Sequence, residues 1–141
     1  MSRVLGFGYK KISIERKKEN QISKINTNIE ITNIVKKELD LFKGKDILDV
    51  SYDFKIIYDS AVAELDFEGS AIIEVDDKNL FKEIISEWKN KKIPEEFRIL
   101  VMNVVLSRCN LKALQLEEDF NLPPHIPIPR ITGAESSSKE K

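Results

Sequence analysis

The side chains best equipped for chemistry are few and scattered. The 141-residue chain holds one histidine, His125, and one cysteine, Cys109. A catalytic histidine needs a nucleophile or proton donor held within hydrogen-bond reach. His125 lies in "PPHIP", where no neighbour offers such a partner, and it reads as a loop histidine. Cys109, in "SRCNL" at the end of an apolar run, carries no sequence mark of a thiol nucleophile and reads as a small buried hydrophobe. One cysteine excludes an intramolecular disulfide, and with one histidine it falls short of any ordinary zinc cage.

Carboxylates are more plentiful. "ELDFEGSAIIEVDD" sets Glu64, Asp66, Glu68, Glu74 and Asp76 at even spacing. Paired carboxylates can serve glycosidase or metal chemistry. The same spacing follows from the two-residue period of a solvated strand, and the functional alternative is an acidic docking surface at Glu64, Asp66 and Glu68 for a basic partner. "EWKNKK" puts Lys89, Lys91 and Lys92 beside Trp88. Lysines around an aromatic can grip nucleic acid, but a helix C-terminus attracts lysine without any ligand. "GFG" near the start is too short for a phosphate loop and lacks the following Lys-Ser/Thr. The expectation is a protein with no catalytic residue, cofactor or metal.

Charge and hydropathy narrow the class further. Lysine and arginine (23) nearly cancel aspartate and glutamate (24), giving a net charge of −1. That balance lacks the basic excess of a duplex nucleic-acid binder, which leaves nucleic acid only the lysines near Trp88. The longest uninterrupted apolar run is too short for a bilayer, and "MSRVLGFGYKK" lacks a signal-peptide pattern. A cytoplasmic protein without membrane insertion is expected.

The first half alternates in twos. "KINTNIEIT" places Ile25, Thr27, Ile29 and Ile31 on one face, and "DVSYDFKIIY" does the same with Val50, Tyr52, Phe54, Ile56 and Tyr58. "AVAELDFEGSAIIEV" keeps one parity from Ala61 to Val75, which predicts one long strand bending at Gly69. An earlier strand is expected around Ile12 and Ile14, with "LGFG" before it holding a bend or a separate short strand. Short links favour an antiparallel sheet, wet on one face.

The second half reads in threes and fours. Asp76 and Asp77 can cap a helix with Leu80, Phe81, Ile84, Ile85 and Trp88 on its apolar face. Pro94 opens a second helix, followed by Glu95 and Glu96 where the dipole favours carboxylates. From Phe97 to Leu106 that helix is apolar on nearly every side, so it must be buried on every side. A single sheet covers one side, and something else must cover the other. After Asn110 the helical pattern continues for another turn or two. "FNLPPHIPIPRI" then forms a stiff extended strip, and "TGAESSSKEK" reads as a disordered tail. The strip can be a brace on the chain's own sheet, or its Leu122, Ile126, Ile128 and Ile131 can line an apolar groove.

The order of elements, with "CNLKALQLEEDFNLPPHIPIPRI" closing the ordered part, resembles the SecB-type export chaperones over residues 10 to 131. The resemblance implies an α+β domain spanning 1–131, with a four-stranded antiparallel sheet followed by two or three helices and a Pro-rich extended segment, and a tail at 132–141. It implies a homo-oligomer, dimer or tetramer, with Phe97, Leu100, Val101, Val104 and Val105 at the interface. It also implies a holdase that binds non-native polypeptides without ATP. The groove would be lined by Tyr52, Phe54, Leu65, Phe67, Trp88, Leu122, Ile126 and Ile128, and the acidic strand face would dock a motor partner. The chain departs from the family in its near-neutral charge and in a tail without the family's zinc-binding pattern. The alternative is a non-catalytic adaptor of a ribonucleoprotein or translation complex that uses Trp88 and its lysines.

Overall fold

In a computed structural model the described residues are 2–18, 21–59, 62–127 and 129, with Phe42 described by its backbone alone. Ile128, Ile131 and the expected tail at 132–141 lie outside them. Four strands, β1 (Ser2–Arg16), β2 (Ile25–Lys37), β3 (Ile47–Tyr58) and β4 (Ala63–Val75), precede α1 (Lys78–Trp88) and α2 (Glu95–Asp119). The sheet is antiparallel in the order β1-β4-β3-β2. The first strand therefore crosses over to pair with the fourth, leaving β1 and β2 as edges.

The alternation read from the sequence sorts the two faces of β3 and β4. Val50, Tyr52, Phe54, Ile56 and Tyr58 point inward with Leu65, Phe67, Ala71 and Ile73, all at 0–1% exposure. "LGFG" is neither a bend nor a separate strand. It belongs to β1, whose pairing with β4 shifts between Val4 and Gly6 and again between Tyr9 and Lys11. β4 runs through Gly69 with its β3 register unbroken, and close contact explains the glycine. A Cβ there would lie 2.0 Å from the Gly8 carbonyl oxygen and 2.7 Å from the Tyr52 hydroxyl, which donates to that same oxygen at 3.1 Å. Only glycine lets β1 and the Tyr52 ring meet over β4.

The helices cover the inner face. The Asp77 carboxylate caps α1 by accepting from the backbone N–H groups of Asn79 and Leu80. α1 buries Leu80, Phe81 and Ile84, while Trp88 at its end donates to Asn33 of β2. α2 follows Pro94 and runs unbroken for 25 residues, through the turns expected after Asn110. Its buried row takes every fourth residue: Phe97, Val101, Val105, Cys109, Ala113 and Glu117. Such a row winds slowly around a 3.6-residue helix, so α2 must cross the sheet obliquely, and it contacts both β3 and β4. Among the described helices α2 alone is long and apolar enough to cross a membrane, but its row is committed to the sheet.

The end of α2 is a Schellman turn. Asn121 takes the left-handed conformation (φ 54°), its N–H donates to the Glu118 carbonyl, and Leu122 N–H donates to that of Glu117 at 2.8 Å. Asparagine tolerates that conformation, and Pro123 and Pro124 prevent the helix from resuming. "FNLPP" is thus a helix stop that folds the strip back along α2.

Candidate functional site

The sheet and α2 divide the expected binding residues into two groups. Tyr52, Phe54, Leu65 and Phe67 do not line an open groove. They sit on the two central strands under α2, with 0–1% of their surface exposed. Phe54 and Phe67 stack at 5.8 Å between ring centroids, and Phe7 stacks on Tyr52 at 5.1 Å. Alternation identifies an inner face, but the centre of that face is where the covering helix lands. Trp88 is half-buried with the Lys91 ammonium 4.6 Å from its ring centroid, while Lys89 and Lys92 are exposed.

The expected interface residues also separate. Phe97, Val101 and Val105 are committed to this chain's own sheet, whereas Leu100 and Val104 are half-buried on the flank of the helix. Leu100, Val104, Ser107, Leu111 and Leu114 follow one another at intervals of four, three, four and three, the spacing of a helix–helix seam. Leu111 is 67% exposed, and Ile99, about three turns earlier in the helix, is 48% exposed. The helix is therefore buried on one side and only partly covered on the other, where Leu100, Val104 and Leu114 are half-buried and Leu111 is exposed. Toward its C-terminal end the seam opens into a cleft of about 530 Å³ lined by Leu111, Leu114, Gln115, Glu117, Glu118, Leu122 and Pro124. Leu122 is buried, and Ile126 half-buried, so at least this part of the strip lies on the chain's own surface.

Beneath that cleft lies a polar cluster with no warning in its local sequence. The Tyr58 hydroxyl donates to the Glu117 carboxylate, and His125 Nδ1–H donates to its other oxygen at 2.9 Å. The Asn110 side-chain amide lies 2.7 Å from His125 Nε2. The side chains of His125 and Glu117 are 1% and 2% exposed. Burial, then the hydrogen bond to Glu117 and its charge, push the Tyr58 hydroxyl well above its ordinary range, so it stays a donor. His125 is thus a buried latch, corrected from a plain loop residue. The clue in the sequence is Glu117, a charged residue at the next position of the apolar every-fourth row.

Cys109 lies in the core near Tyr9 and Tyr52, and burial pushes its thiol up to about 11, leaving it unreactive. Burial also pushes Tyr9 up to about 12.

The acidic face is partly neutralised from within. Lys11 of β1 reaches Asp66 at 3.1 Å and Glu68 at 3.5 Å, and Glu64 is half-buried beside them. Asp53, Asp66 and Glu68 bring carboxylate oxygens within 4.8 Å of one another, the described group that could hold an ion, although Lys11 already supplies a positive charge there. Asp53 Oδ1 and Asp66 Oδ1 are buried and each lacks a donor, which two carboxyls remedy by sharing a proton. Burial, the hydrogen bond to Asp66 and its charge push Asp53 up to about 6. Burial also works to raise Asp66, but hydrogen bonds from Asp53 and Lys11 hold it below the ordinary range.

A carboxyl raised in the folded state binds a proton the unfolded chain has released. Its stabilisation is full below about pH 4 and is lost as the pH rises through about 6. Asp53→Asn keeps a donor facing Asp66 at every pH. The variant is expected to be more stable than the parent at pH 7.5 by on the order of 1 kcal/mol, discounted for partial exposure, with the gain shrinking below pH 6. Thermal unfolding at both pH values checks this, and no gain at pH 7.5 would contradict the shared proton.

No protein-family model and no curated protein matches this sequence. Among solved structures the fold is similar to that of a SecB-like chaperone of Mycobacterium tuberculosis, in complex with a ChAD peptide from an antitoxin. The match covers 93% of this chain and 88% of that one, at a TM-score of 0.51 and 11% identity. The chain therefore has the α+β fold of that chaperone, four antiparallel strands followed by two helices.

Proposed function

We propose that this chain is an ATP-independent polypeptide-binding chaperone, a holdase that keeps non-native proteins from aggregating, with export as one use of that holding. The observation that carries the reading is the partly open apolar seam of α2, with Leu111 67% exposed, opening into the cleft beside the strip. Exposed apolar surface of this kind marks an interaction site. Each leucine or isoleucine it buries in a client contributes about 1.5–3 kcal/mol. The fold supports the reading, and the relative of that fold is a chaperone holding a peptide.

The same seam, through Leu100, Val104, Leu111 and Leu114, serves self-association as a dimer or tetramer, and clients use what assembly leaves open. We place the protein in the cytoplasm, with no catalytic role. A basic partner docking on Glu64, Asp66 and Glu68 has to compete with Lys11. An adaptor function through Trp88 would need an open ring face, which Lys91 occupies at 4.6 Å.

Solution mass and client aggregation, measured without nucleotide, test the proposal. An oligomer that suppresses aggregation supports it. A monomer that leaves aggregation unchanged, or co-purifying RNA whose binding weakens with salt, overturns it.

A further inference from the structure

The strip is held in a manner that a plain brace does not require. Apolar contacts alone would pin it, and Leu122 is 5% exposed in the core. Yet its attachment also includes a carboxylate buried at the floor of the cleft lined by Leu122 and Pro124, the trough in which the strip lies, with Tyr58 of β3 donating to one oxygen of Glu117 and His125 of the strip to the other. The imidazole stands edge-on to Phe54 of β3, ring centroids 6.1 Å apart, and engages Asn110 of α2. Near the root of the strip, Arg16 donates to the carbonyls of Phe120 and Asn121. A segment without regular structure, bent at His125 and Ile126, thus meets β3 beside α2, with an aliphatic anchor and a donor three residues later.

We propose that the strip is a placeholder in the trough that takes clients. On this proposal Glu117 selects segments carrying an aliphatic residue and, three positions on, a histidine or another side chain that donates to a carboxylate. The inference rests on the chaperone reading and names the ligand class of that site. Its physical basis is that a purely apolar segment displacing the strip would leave a Glu117 oxygen buried and unpaired. A segment that brings its own donor restores the pair, and the cleft by Leu122 accepts the aliphatic side chain.

The test uses the full chain, with the strip loosened by His125→Ala or, separately, by Leu122→Ser, which leaves the latch side chains in place. The probes are two fluorescent peptides, FNLPPHIP and the same peptide with alanine for histidine, followed by anisotropy. Both loosened chains are expected to bind the histidine peptide about tenfold more tightly than the alanine peptide, and about tenfold more tightly than the parent chain binds it (~1.4 kcal/mol each). Equal affinity for the two peptides, or no gain over the parent chain in either variant, overturns the proposal. Suppression of client aggregation by the parent chain, measured in parallel, separates the two ideas. If clients are held but the peptides are not distinguished, the trough fails and the chaperone reading stands. If no client is held, both fall.

Discussion

Glu117→Ala is expected to destabilise the protein by about 3–5 kcal/mol, because it leaves two buried donors without an acceptor at about 1–3 kcal/mol each. The carboxylate is 2% exposed and receives hydrogen bonds from Tyr58 and His125, whose ring is 1% exposed. Removing it strands a phenol hydroxyl and an imidazole N–H in an apolar setting, where neither can turn to water. It also opens a cavity where Leu122 and the strip meet the helix. Chemical denaturation should show a lower midpoint with an unchanged slope. Glu117→Gln, which keeps an acceptor but loses the charge, should fall between the two. Replacing the set together, as Tyr58→Phe, Glu117→Leu and His125→Leu, should recover much of the loss, because no polar group is then left unpaired. A Glu117→Ala stability within ~1 kcal/mol of the parent would show that the cluster is not the closed unit described.

The second large effect concerns association. Val104→Asp with Leu111→Asp places two charges on the flank of α2 that this chain covers only in part, Val104 half-buried and Leu111 exposed. The fold should be nearly unaffected, since Leu111 is 67% exposed and Val104 lies outside the buried row. An assembled seam, by contrast, loses two apolar contacts and must bury or expose two carboxylates, on the order of 5 kcal/mol against association. The assembly proposed for this seam should dissociate at concentrations where the parent chain stays assembled, with no change in circular dichroism. Val101→Asp supplies the contrast. Val101 is fully buried against the sheet, so that change should unfold the protein. Assembly surviving in the double variant would mean that the seam is not the surface that joins subunits.

Several of these features are legible in the amino-acid sequence alone. The two-residue alternation identifies β3, β4 and their inner faces, because a pleated strand half-covered by helices tolerates little else. The Asp77 cap and the Pro94 start of α2 follow from backbone donors that need partners at a helix end. Periodicity says nothing about which strands become neighbours, so the pairing of β1 with β4 and its two register shifts leave no sequence mark. The same limit hides which inner residues stay open. Tyr52, Phe54, Leu65 and Phe67 are rightly inner-face residues, but whether an inner residue is open or covered depends on where α2 crosses the sheet. His125 reads as a plain loop residue because its partners stand eight and fifteen residues earlier, on a helix that the strip meets only by turning back. That reversal is encoded in "NLPP", asparagine for the left-handed turn and prolines to stop the helix, and Glu117 marks where the strip lands.

The most direct measurement follows light scattering as a chemically denatured client is diluted into buffer containing this protein and no nucleotide. The parent chain should suppress aggregation at near-stoichiometric ratios. The Val104→Asp, Leu111→Asp variant, equally folded, should lose that suppression. Unchanged aggregation with the parent chain, or equal protection by the variant, would contradict a chaperone working through the open flank of α2.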